Sequence, residues 1–261
     1  MNKKLLLMAL ISGSIATANA QDKAKPEDTE LYTPVPPVVT PGKMNSDAPS
    51  DALVLFGPKK ANLDEWTSVK EKGQAAGWTV GKGFFTVKKG TGNIETKKSF
   101  GSYQLHIEWK IPANITGEGQ ARGNSGLFLA STGPGDDGYE LQIVDTYNNK
   151  TYTNGQAGSV YKQVAPLANP ARVPGQWQAY DVIWTAPVFG EDGSLKTPAY
   201  VTVFFNGVLV QNHFELKGPT QYIGQPSYEG KKHGPCPIKL QDHGDPSQPI
   251  SYRNIWIREL K

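Results

Sequence analysis

The sequence predicts an all-β protein, a sandwich of two antiparallel sheets of the jelly-roll kind. Three observations carry that expectation. Short segments rich in Tyr, Trp, Val and Ile alternate apolar and polar residues with period two. Turn residues, above all Gly and Pro, separate them at short intervals. No long stretch repeats its apolar residues at helical spacing between the strands, which points to sheet packed on sheet.

The elements follow in order. Residues 1–20 read as a secretory signal peptide: "MNKK" is basic, "LLLMALI" apolar, and Ala18 and Ala20 are the small residues before a cut after Ala20. The apolar run is too short to span a bilayer. No Cys lies near the cut, so the usual lipid anchor is not expected. The expectation is a soluble protein, periplasmic or secreted, with no membrane span. Residues 21–50 form a Pro-rich polar linker or arm without periodicity. The domain is expected over 51–261, opening at "ALVLF".

Within it, "GFFTVKKGTGNIETKK" reads as two short strands around "GTGN". "YQLHIEWKI" puts Tyr103, Leu105, Ile107, Trp109 and Ile111 on one face and Gln104, His106, Glu108 and Lys110 on the other. "NSGLFLA" and "YELQIVD" are strands split by the loop "STGPGDDG", and "QWQAYDVIWTA" is a long aromatic strand. "AYVTVFFNGVLVQNHFEL" is a hairpin turning at Asn206-Gly207, because both residues accept positive φ. "PIKLQDHG" and "SYRNIWIREL" close the chain.

Charge and cysteine usage limit the function classes. Without Lys3 and Lys4 the mature chain carries about one net positive charge and no run of like charges, which argues against a nucleic-acid partner. Cys236 is the only cysteine, so an intramolecular disulfide is excluded and stability rests on the core.

One strand poses the functional question. In "GYELQIVD", Tyr139, Leu141 and Ile143 share a core face, while Glu140 and Gln142 share the other. That second face is either solvated or the wall of a cleft. Asp145 faces away in a regular strand, and a single bulge turns it back beside Glu140. Glycosidases of the laminarinase type place two carboxylates with this spacing across a sugar bond. Here the middle position is Gln142, which does not ionise. In "LQDHG", His243 stands near a strand end, either as an acid–base group or as a turn residue bonded to backbone. His106 is assigned a structural place on an outward strand face, and His213 and His233 surface or loop positions. No His/Cys/Asp spacing matches a zinc site. The loop "GPGDDGYE" offers carbonyls with Asp136 or Asp137 to calcium, without the full ligand spacing of a calcium loop. No metal or other cofactor is expected. The sequons at Asn114 and Asn149 carry little weight in a bacterial-looking exported chain.

Seven segments stand in one order: "GNSGLFL", "GYELQIVD", "YKQVAP", "GQWQAYDVIW", "PAYVTVFFNGVLVQN", "LQDHG" and "RNIWIREL". Over this stretch, from about Leu53 to the C-terminus, the chain resembles the 3-keto-disaccharide hydrolase family. The resemblance implies a concanavalin A-like jelly roll and a glycoside or oligosaccharide substrate oxidised at C3. It also implies a reaction in which a base removes the C2 proton, the C1 substituent departs and water adds. Set against that chemistry, Glu140 is the leading base or acid and His243 its partner. Gln142, Asn124, Asp145, Lys162 and Arg253 are binding or oxyanion groups, with Arg253 on the face opposite Tyr252, Asn254 and Trp256. Two rival readings stay open: a conventional glycoside hydrolase using Glu140 and Asp145, and a non-catalytic carbohydrate-binding module using Trp66, Trp78 and Tyr147. For both tryptophans, packing in the core is the other possibility.

Overall fold

A computed structural model describes residues 25, 29–31 and 33–260. The expected signal peptide therefore lies outside the described residues. Among the described residues, no helix is long and apolar enough to cross a membrane. A first compact unit ends at Val38, and its described residues carry no strand; a second begins at Val39.

The second unit holds fifteen described strands. They are β1 (Leu53–Phe56), β2 (Trp66–Ser68), β3 (Thr79–Val80), β4 (Phe85–Thr86), β5 (Ile94–Thr96), β6 (Tyr103–Lys110), β7 (Ser125–Ser131), β8 (Gly138–Ile143) and β9 (Trp177–Thr185). β10 (Val188–Phe189), β11 (Leu195–Thr197), β12 (Tyr200–Phe205), β13 (Val208–Glu215), β14 (Lys239–Leu240) and β15 (Ser251–Glu259) follow. The large sheet runs β13-β12-β9-β6-β15-β4-β3, with β1 also paired to β15. The small sheet runs β2-β5-β14-β7-β8, and β10 and β11 form a separate hairpin. All pairings are antiparallel, so the architecture is the expected jelly-roll sandwich.

Local chemistry explains the well-formed elements. Asn206 and Gly207 take φ of 51° and 81° and join β12 to β13 with Phe205 opposite Val208, as a two-residue hairpin requires. The alternation in β6 sends Tyr103, Leu105, Ile107 and Trp109 into the core, each at most 1% exposed. The two strands around "GTGN" do not pair with each other: β4 joins the large sheet and β5 the small one.

The core lies between the sheets. Trp66 and Trp78 are buried in it, beside Phe85, and their indole N–H groups donate to the carbonyls of Leu55 and Gly92. These two tryptophans are thus packing residues with satisfied donors, and they offer no platform to a sugar. Residues 39–50 belong to the compact unit. The Ser46 carbonyl accepts hydrogen bonds from Asn254 Nδ2 and Trp256 Nε1 on the outer side of the large sheet.

Candidate active site

The site is built on the outer face of the small sheet. β7 and β8 pair with Gly126 opposite Gln142 and Phe128 opposite Glu140. Period two sends Leu127, Leu129, Tyr139, Leu141 and Ile143 to the core, leaving Glu140 and Gln142 on the other side. That side is covered. Segment 158–161 lines the free edge of β8: Gln142 N–H donates to Ser159 O (3.0 Å), and Tyr161 N–H to Glu140 O (3.0 Å). Glu140 N–H donates to Thr220 Oγ1 at 3.0 Å, and Thr220 N–H to Gly138 O at 2.8 Å. Glu140 is therefore only 6% exposed, and of the two readings of this face the cleft wall is the one the structure has.

A pocket of about 320 Å³ opens over this face. Asn124, Glu140, Gln142 and His243 line it together, with Asp136, Asp137, Tyr161, Thr220, Tyr222 and Gln241. A larger cavity, about 780 Å³, lies on the other sheet. The smaller pocket holds a carboxyl displaced far from ordinary behaviour. Burial, with the charge of Asp136 added, pushes the Glu140 carboxyl up to about 8. No hydrogen bond to that carboxyl is formed among the described residues, and Gly126 leaves it room: a Cβ there would stand 2.7 Å from Glu140 Oε1.

His243 reaches the rim from the chain that follows β14. Gln241 N–H donates to Gly126 O at 3.1 Å, and Asp242 N–H donates to Asn93 Oδ1 at 2.8 Å. Nε2 of His243 lies 3.2 Å from Asn124 Nδ2, and Nδ1 lies 3.6 Å from Asp245 Oδ2. With the Asn124 amide as donor, Nδ1 carries the ring proton and faces the carboxylate, a tautomer assigned from these partners. Burial works against the Asp245 charge, but His243 and Ser247 hold its carboxyl below the usual range. Gln142 Nε2 donates to Gln120 Oε1 at 3.1 Å and keeps a second N–H. Two buried amide oxygens of the pocket, Asn124 Oδ1 and Gln241 Oε1, have no hydrogen-bond partner among the described residues. They are acceptors suited to hydroxyl donors of a ligand, since an unpaired buried acceptor is costly.

Three expected members stand elsewhere. β8 ends at Ile143, and no bulge returns Asp145 to Glu140. Asp145 Oδ2 instead accepts from Arg122 Nε at 2.7 Å and Oδ1 from Tyr147 N–H at 3.0 Å. Arg253 lies on the large sheet, where its Nε donates to Glu108 Oε2 at 2.6 Å. The register shift between Arg253 and Trp256, with Asn254 at φ 45°, breaks the alternation and brings Asn254 and Trp256 to the same cavity as Arg253. Lys162 sits behind the wall. Its Nζ donates to Tyr222 O at 2.7 Å and lies 4.3 Å from the centre of that ring, tying together segments that carry Tyr161 and Tyr222.

The loop's offer of carbonyls to calcium meets a physical obstacle. Lys239, fully buried, donates from Nζ to the carbonyls of Gly133 (3.0 Å), Gly135 (2.9 Å) and Asp137 (2.9 Å). An ammonium thus occupies the carbonyl cluster that the loop offered to a cation. Among the described residues, no group of three or more His, Cys, Asp or Glu side chains is placed to hold a metal ion.

Of the residues that sequence reasoning missed, Gly126 left a signal, because glycine inside a strand marks close approach. Gln241 stood inside the motif quoted for His243. Thr220 and Tyr222 left none, since a loop reaches the site only through the tertiary fold.

Comparison with known proteins agrees with this architecture. No curated protein matches the chain. The crystal structure of a proposed glycosyl hydrolase from Parabacteroides distasonis ATCC 8503 is 56% identical, covering 90% of this chain and 97% of its own, with a TM-score of 0.82. Two more structures from that organism, also proposed glycosyl hydrolases, are 20% and 22% identical. They cover 81% and 80% of this chain and 94% and 99% of their own, with TM-scores of 0.55 and 0.54, and speak for the fold alone. The sequence profile described as the 3-keto-alpha-glucoside-1,2-lyase-like domain matches residues 51–258, all the strands of both sheets but for the last residue of β15, and the chain belongs to that family.

Proposed function

We propose that the protein cleaves glycosides carrying a ketone at C3. Family membership makes it carbohydrate-active. The observation that supports the finer reading is the Glu140 carboxyl, buried in a polar pocket with no hydrogen bond to it among the described residues and pushed up to about 8. A C2–H beside a ketone is a weak carbon acid, so its removal favours a strong base. At pH 7 about a tenth of such a carboxyl is ionised, while each ionised group is a far stronger base than an ordinary glutamate. Glu140 takes the C2 proton, and electron density moves onto the C3 oxygen, where the remaining N–H of Gln142 is a donor. The enolate then expels the C1 substituent, whose oxygen receives a proton from Nε2 of His243, the ring then carrying its second proton at that nitrogen in place of the Asn124 hydrogen bond. Water adds across C1=C2, placing hydroxyl on C1 and hydrogen on C2, for net hydrolysis. Asn124 Oδ1 and Gln241 Oε1 accept from sugar hydroxyls.

The test compares an aryl glucoside with its 3-keto form. Aglycone release from the keto form is expected, deuterium from D2O should appear at C2 of the product, and Glu140→Gln should lower the rate about a hundred- to ten-thousand-fold. Faster turnover of the unoxidised glucoside, without deuterium, would return the site to conventional hydrolysis, with Glu140 as acid and Asp136 or Asp137 as the second carboxylate. We also place the working protein outside the cytoplasm, on the leader-like residues 1–20. Intact mass from an exporting host should begin at Gln21; a retained Met1 would contradict it.

A further inference from the structure

The outer face of the large sheet carries the cavity of about 780 Å³, bounded by segment 41–49 and floored by Glu108, Arg253, Asn254 and Trp256. Its floor is a closed polar chain. Glu108 Oε2 accepts from Arg253 Nε at 2.6 Å, and Oε1 accepts from Asn254 Nδ2 at 2.8 Å and lies 3.5 Å from His106 Nε2. His106 Nδ1 lies 2.7 Å from Asp181 Oδ1. Burial opposes both charges, yet these partners hold Glu108 down to about 2 and His106 up to about 9, so both are charged at neutral pH.

The Arg253 guanidinium is fixed twice, by the Glu108 bond through Nε and by the Trp177 ring 4.2 Å beneath it. Its two terminal nitrogens make no hydrogen bond among the described residues. A planar fork held rigid with its ends free is pre-organised for a carboxylate or sulfate. Lys43 and Lys59 stand on the walls, exposed and likewise without a hydrogen bond or ion pair among the described residues. The one other carboxylate lining the cavity, Asp47, accepts from Met44 N–H. The volume falls within the range of small-molecule sites and far exceeds a bare anion.

We propose that this cavity is a second ligand site, separate from the Glu140 pocket, which binds an anionic saccharide through the free fork of Arg253 with Lys43 and Lys59. The ligand class is a uronate or sulfated sugar. Its acidic group meets the guanidinium, and the lysines add attraction that salt screens.

Calorimetric titration of the full chain tests this with digalacturonate, cellobiose and sodium sulfate at matched ionic strength. Digalacturonate should bind and cellobiose should not. Arg253→Met should weaken binding about tenfold or more, the loss expected for a charged hydrogen-bonding group. The K43A/K59A double variant, altered only at exposed positions, should weaken it several-fold and flatten the salt dependence; it decides the matter if Arg253→Met does not fold. Glu140→Gln should leave the affinity unchanged. Equal binding of cellobiose, equal affinity for sulfate alone, no binding of digalacturonate, wild-type affinity in K43A/K59A, or loss in Glu140→Gln would each overturn the proposal.

Discussion

Lys239→Met is the substitution that most directly probes how the pocket is held. Lys239 lies on β14 with no exposed surface, and its ammonium joins three carbonyls of the loop 132–137 at 2.9–3.0 Å while lying 5.2 Å from the Phe128 ring centre. Methionine keeps the apolar contact and removes all three bonds. Three stranded carbonyls at about 1–3 kcal/mol each give an upper range of about 3–9 kcal/mol. Two effects reduce it. Gly135 and Asp137 are exposed, so the loop can turn toward water. Burial already lowers the lysine's own affinity for its proton, and removing the charge relieves that desolvation. A net loss near the low end, about 3 kcal/mol, corresponds to about 6–12 °C in Tm for a domain of this size. Thermal melts of both proteins measure it. The loop carries Asp136 and Asp137 into the pocket, so activity should fall with stability and the loop should be cut sooner by protease. Added calcium should leave the wild-type melt unmoved, since the carbonyls are engaged. A variant melting within a degree or two of wild type, or a wild type stabilised by calcium, would refute the reasoning.

Two further outcomes follow from Glu140. Gly126→Ala places a methyl 2.7 Å from Glu140 Oε1, and should lower turnover through misplacement of the carboxyl while the far-ultraviolet circular dichroism stays unchanged. The folded-state value of Glu140, about 8, lies above that of an unfolded glutamate, so the stability it contributes is fully present below about pH 4.3 and is lost as pH rises through 8. Urea melts should show Glu140→Gln stabler than wild type by a few kcal/mol at pH 9 and no longer so at pH 4; equal stability at both would show that Glu140 is ionised without penalty.

The legible part of the fold was the part set by local chemistry. Asn206-Gly207 marked its hairpin because both residues take positive φ, and β6, β8 and β9 could be read from period two. The very short strands β2, β3, β10 and β11 left no such pattern, because two or three residues do not establish a period. Arg253 and Asn254 were misread for a related reason. Alternation assumes an unbroken ladder, and the shift between Arg253 and Trp256 is a property of how β15 meets β6, not of β15 alone.

The site divides along the same line. Glu140, Gln142, Asn124 and His243 could be grouped because each sits on, or beside, a strand end whose facing side the sequence reveals. Whether that side was solvated was a different question, and distant chain answered it. Thr220 and segment 158–161 close over β8, and that cover turns an ordinary outward glutamate into a desolvated one. Asp145, only two residues past the strand, has the opposite history. Arg122, 23 positions earlier, supplies its cation and draws it away, so it stays an ordinary structural carboxylate. Two carboxylates five positions apart thus receive different chemistry from their tertiary partners. This is why the spacing suggested a glycosidase pair, and why the folded chain does not bring Glu140 and Asp145 together.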